Sequence, residues 1–70
     1  MQGKYVMTKR GPVLFPDTYL HVNFKSMNPV SAGMFSVKDG VVEVFGKSLS
    51  LNLEPEPRDA SEIARVFGIV

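Results

Sequence analysis

The single histidine is the first residue to examine for chemistry. His21 follows Asp17 by four positions. On a helix that spacing brings a carboxylate beside an imidazole, the start of a general-base arrangement if a serine completes it. The chain holds six serines. None stands at a spacing that singles it out as a nucleophile, so His21 reads as a surface-helix residue next to a capping aspartate. Gly46-Lys47-Ser48 has the end of a phosphate-binding loop, but that motif needs its first glycine at position 41, which is Val41. It also needs a helix after the serine, whereas Leu49-Ser50-Leu51 alternates as a strand does. Nucleotide binding is therefore not expected. With no cysteine and one histidine, thiolate and multi-histidine metal sites are excluded. No cofactor is expected and no catalytic set stands out, so the chain does not read as an enzyme.

Charge offers a second kind of chemistry. The net charge is +1, yet residues 1–38 carry +4 and residues 39–70 carry −3. Lys4, Lys9 and Arg10, with Tyr5 among them, form a candidate basic and aromatic patch for nucleic acid. No ribonucleoprotein-type aromatic motif, Gly-x-x-Gly clamp or zinc-finger spacing accompanies it. Nucleic-acid binding through this N-terminal hairpin is the alternative to a protein partner.

The elements that must position these residues follow from hydrophobic period and turn chemistry. Seventy residues make one domain, 1–70. Lys4 to Thr8 and Val13 to Phe15 read as two strands around the turn Lys9-Arg10-Gly11-Pro12. Asp17 is a suitable N-cap for a helix whose stripe is Leu20, Phe24 and Met27, ending before Pro29. Asp39-Gly40 sits between two β-rich runs and predicts a type I′ hairpin. That turn pairs Lys38 with Val41, Val37 with Val42 and Phe35 with Val44, so Phe35, Val37, Val42 and Val44 share a face. Leu49, Leu51 and Leu53 alternate with the opposite parity. A bulge at Gly46 restores the parity, and so does a two-residue turn at Gly46-Lys47. The turn is preferred because it sets Val44 opposite Leu49 and Val42 opposite Leu51, making a meander with one apolar face. After the extended Glu54-Pro55-Glu56-Pro57-Arg58, Asp59-x-x-Glu62 resembles a capping box. Ile63, Ala64 and Phe67 form the stripe of a last helix and Gly68 its stop, with Ile69 and Val70 expected either to fold back on the core or to meet another chain.

The expected fold is α+β. It has an antiparallel sheet of about five strands in the order β-β-α-β-β-β-α, with two helices packed on one face. The other face of the meander then carries Met34, Val41 and Phe45 among Ser36, Glu43, Ser48 and Ser50. Apolar groups on a polar background are typical of contact surfaces. These three residues are the candidate interaction surface for a protein partner or a second copy of the chain. The start, Met1 to Tyr5, lacks the apolar core of a signal peptide, and no apolar run is long enough to span a membrane, so a cytoplasmic, non-membrane setting is expected.

Phe15-Pro16 followed by His21, then Ser31-Ala32-Gly33, the run Phe45-Gly46-Lys47-Ser48-Leu49-Ser50-Leu51 and the Pro57-x-Asp59 approach to the last helix resemble a family of short, uncharacterised bacterial and phage-associated proteins. The resemblance spans residues 5–67. It implies a bacterial or phage cytosolic setting and assigns no functional residue.

Overall fold

The structure is a computed structural model that describes residues 1–69. Four strands form one antiparallel sheet in the order β2-β1-β3-β4: β1 Gln2–Thr8, β2 Gly11–Phe15, β3 Ser31–Lys38 and β4 Val41–Phe45. A 3₁₀ helix, η1 (His21–Met27), lies between β2 and β3, and an α-helix, α1 (Asp59–Val66), is the last element among the described residues. The α+β class and the Asp39-Gly40 hairpin agree with expectation. The first hairpin also forms, but only Lys9 and Arg10 make its tip, because Gly11 and Pro12, expected in the turn, belong to β2 opposite Thr8 and Met7. Asp39 and Gly40 take φ of 53° and 76°, the left-handed pair that a type I′ turn needs. Phe35 lies opposite Val44, Val37 opposite Val42 and Lys38 opposite Val41.

β1 is interior to the sheet, and Tyr5 and Val6, adjacent in sequence, are both fully buried. A strand covered on both sides loses the polar alternation of a half-exposed one. On one side Tyr5, Met7 and Phe35 pack with Ile63 of α1, and Val37, Val42, Val44 and Phe67 flank them. On the other side Val6, Phe15 and Ala32 are covered by Phe24 of η1 and by Leu51 and Leu53. The helices therefore sit on opposite faces, not together on one. Position in the chain explains the difference. The segment between Pro16 and Pro29 leaves the β2 edge and folds back over the face that carries Phe15.

That segment also winds more tightly than predicted. In a 3₁₀ helix residues i and i+3 eclipse, so His21 and Phe24 share a side. Phe24 stacks on Phe15 at 4.2 Å and His21 meets the same ring edge-on at 5.6 Å. Leu20 and Met27, the ends of the expected stripe, are exposed. No side chain caps η1 from outside, and Asp17 is not its cap. Asn23 Oδ1 instead accepts from the Leu20 N–H at 3.0 Å, and Asn28 closes the helix at φ 53°.

The fifth strand does not form. β4 stops at Phe45, and Gly46, at φ 70°, redirects the chain. Ser48 and Leu53 exchange backbone hydrogen bonds of 2.8 and 3.1 Å, enclosing a turn in which Asn52 is left-handed at φ 55°. Val44 is therefore not opposite Leu49, and neither proposed repair at Gly46 applies. Leu49 points outward at 79% exposure, while Leu51 and Leu53 pack against the Val6–Phe15–Ala32 side, opposite the face assigned to them. Pro55 then crosses to lie on Gly33, where a Cβ would come within 2.6 Å of Pro55 Cγ. α1 ends as predicted. Gly68 (φ 72°) donates to Arg65 O and Ile69 donates to Ala64 O, the two bonds of a Schellman stop. The expectation for Val70 lies outside the described residues.

Candidate interaction surface

Each residue considered for chemistry has a definite place in the fold. His21 is buried, at 7% exposure, and its Nε2–H donates to Gly33 O at 2.9 Å. Asp17 is exposed and makes no bond to it. The bonded serine hydroxyls are engaged elsewhere, Ser31 on Asp59 and Ser48 with Ser50 and the Leu51 N–H. The Asp–His–Ser reading has no geometry among the described residues. His21 joins η1 to β3 as a core residue, which corrects its assignment to the surface.

A polar cluster that sequence reading missed centres on Asp59. This fully buried carboxylate accepts on Oδ2 from the Tyr5 hydroxyl at 2.6 Å, the Ser31 hydroxyl at 2.8 Å and the Glu56 N–H at 2.9 Å. Its Oδ1 has no protein partner among the described residues. Burial, and secondarily the hydrogen bond to Asp59, pushes the Tyr5 phenol well above the ordinary tyrosine range. The three donors come from β1, β3 and the approach to α1, so the carboxylate ties the start of the helix to the two central strands. Asp59 is not among the residues that line the four principal grooves of the described residues. The available signals were the capping pattern at Asp59 and a tyrosine inside an apolar strand; neither revealed that the two meet.

The basic patch is not assembled. Lys4 and Tyr5 alternate across β1, and Tyr5 is fully buried, so it offers no stacking surface and is corrected from site to core. Lys4 Nζ donates to Tyr19 O at 2.9 Å. Lys9 and Arg10 are exposed at the β1–β2 tip, about 16 Å along the strand from Lys4 at ~3.3 Å per residue.

The Met34, Val41 and Phe45 face is assembled. Met34 lies directly opposite Phe45 across β3 and β4, and the register puts Val41 on the same side with Ser36 and Glu43. Val41 is 57% and Phe45 40% exposed, while Met34 is half-buried beside Gly46. Ser48, expected on this face, is buried in the Ser48–Leu53 turn. α1 packs on the reverse of β4, against Val42 and Val44, and leaves this side open.

The two margins of the sheet differ in chemistry. In a two-residue hairpin the residues flanking the turn bond to each other, and alternate residues point their N–H and C=O outward. At the β2 margin the outward residues are Pro12 and Leu14, and Pro12 has no N–H to offer. At the β4 margin they are Val42 and Val44, each with both groups. No other backbone or side-chain hydrogen bond among the described residues uses them. Proline is a common device for blunting a sheet edge, and it stands on one margin only. No helix among the described residues is long and apolar enough to cross a membrane. No protein-family model, curated protein or solved structure matches this chain.

Proposed function

We propose that this chain is a non-catalytic protein-interaction module that meets its partner along β4. The observation that carries the reading is the coincidence, on one five-residue strand, of exposed Val41 and Phe45 with an outer edge whose backbone groups are unpaired among the described residues. Apolar surface and an open edge each favour contact with another chain. The resemblance to short bacterial and phage-associated proteins supports a bacterial or phage cytoplasm as its setting. The basic N-terminal hairpin supports no competing reading, because its aromatic residue is interior and its cations are spread along the strand.

A photo-crosslinking residue placed at Phe45 tests this in cells of the native host. The control position is Val66, at the end of α1, which is more open than Phe45 (56% against 40% exposure). A discrete protein adduct from position 45, absent from position 66, is the expected result. No adduct at 45, or the same adducts at both positions, would overturn the proposal.

A further inference from the structure

Resting on that reading, we infer that the partner presents an extended segment that adds to β4 as a fifth antiparallel strand, with a lysine or arginine opposite Glu43. Three features lead to it. The first is the asymmetry of the edges: β4 offers the N–H and C=O of Val42 and Val44, while Pro12 interrupts the corresponding row on β2. The second is a groove of about 480 Å³ beside β4, walled by Val42 on the strand, Ala60, Ala64 and Arg65 on α1, and Ile69 beyond it. The small side chains of Ala60 and Ala64, one helical turn apart, leave room between helix and strand. A segment pairing with Val42 and Val44 directs the two paired side chains toward α1, and the one opposite Val42 enters this groove.

The third feature is charge. Glu43 stands midway between Val41 and Phe45 on the open face and forms no ion pair with the described residues. β4 reads Val-Val-Glu-Val-Phe, so the antiparallel two-fold pairing of two copies centred on position 43 sets Glu43 against Glu43. Like charges directly opposite are destabilising in a sheet, and opposite charges are favourable. The edge is thus set against its own copy and complementary to a segment of the pattern apolar-apolar-basic-apolar-apolar. Its outer apolar residues lie beside Val41 and Phe45, its inner two bond to Val42 and Val44, and its central cation faces Glu43.

A synthetic peptide Thr-Val-Val-Lys-Val-Val-Thr, blocked at both ends and carrying solubilising flanks, is the probe. It is titrated into the full chain and followed by amide NMR and hydrogen exchange. The Val42 and Val44 amides are expected to become protected. Replacing the central Lys by Glu is expected to weaken binding about five- to tenfold, the scale of a cross-strand charge reversal. Glu43→Lys is expected to invert that preference. N-methylation of the two peptide residues paired with Val42 and Val44 is expected to abolish binding while leaving the protein untouched, so the result does not depend on any variant folding. Binding indifferent to N-methylation, or no binding by the Lys peptide, would overturn the inference. So would protection of Val42 and Val44 in the protein alone as concentration rises, since the occupant would then be a second copy. A crosslink at position 45 with no peptide binding would leave the interaction module standing and remove only the added strand.

Discussion

Replacing Tyr5 by Phe keeps the ring that fills the core and deletes one hydroxyl. That hydroxyl donates to the fully buried Asp59 carboxylate at 2.6 Å, with Ser31 and the Glu56 N–H as the other donors to the same oxygen. A hydrogen bond to a charged group contributes about 1.5–3 kcal/mol. For a 70-residue chain, with stability on the order of 0.05–0.15 kcal/mol per residue, that is a large share of a total of about 3.5–10 kcal/mol. At neutral pH Tyr5→Phe is therefore expected to be less stable by about 1.5–3 kcal/mol in urea unfolding, with an unchanged denaturant slope. The two proteins should then differ in their pH dependence. Burial and the neighbouring carboxylate hold the Tyr5 phenol protonated in the folded state to higher pH than in the unfolded chain. The folded-state pKa is raised, so the stabilisation is fully present below the unfolded value near 10 and is lost as pH rises above it. Above about pH 10 the folded state holds one more proton than the unfolded one, and stability falls by about 1.4 kcal/mol per pH unit. Tyr5→Phe lacks that dependence. The wild-type advantage should accordingly vanish about 1–2 pH units above 10, where the two curves meet. Parallel curves from neutral to alkaline pH, or equal stability at pH 7, would refute the account of the cluster.

Two further substitution pairs test the faces and the missing strand. Phe35→Ala should cost ~3–5 kcal/mol as a buried aromatic truncation, whereas Ser36→Ala, on the open side of the same strand, should change stability by less than ~0.5 kcal/mol; chemical unfolding of both variants reads the difference. Leu49→Ala should be neutral within ~0.5 kcal/mol, while Leu51→Ala should cost about 1–2 kcal/mol, below the value for a fully buried leucine. Equal losses at 49 and 51 in thermal unfolding would reinstate the strand that the structure replaces with a turn.

The β4 edge has consequences for how the chain behaves on its own. An open, largely apolar edge invites pairing. Glu43 at its centre, flanked by Val42 and Val44, counters the symmetric antiparallel pairing of two copies while leaving the backbone groups available to another segment. On the proposed reading, Glu43 then bears on which chain the edge would accept.

Local signals determined the two hairpins. Asp39-Gly40 dictates a turn with both residues left-handed, and that turn fixes the register of Phe35, Val37, Val42 and Val44 whatever surrounds it. The Met34, Val41 and Phe45 face follows from the same register, which is why it was legible. The stop at Gly68 is equally local, because only a residue tolerant of positive φ closes a helix in that way. The remainder depends on contacts between residues far apart in the chain. An alternating Leu49, Leu51 and Leu53 reads as a strand, but only the pull of the Val6, Phe15 and Ala32 face on Leu51 and Leu53 folds it into a turn. The register of η1 was decided by Phe15, which gathers His21 and Phe24 at a three-residue spacing where the sequence suggested four. Asp59 meets Tyr5 across 54 positions of sequence. Period and turn chemistry act over a few residues, whereas which face a helix covers, and which buried carboxylate finds its donors, is settled only when the layers close.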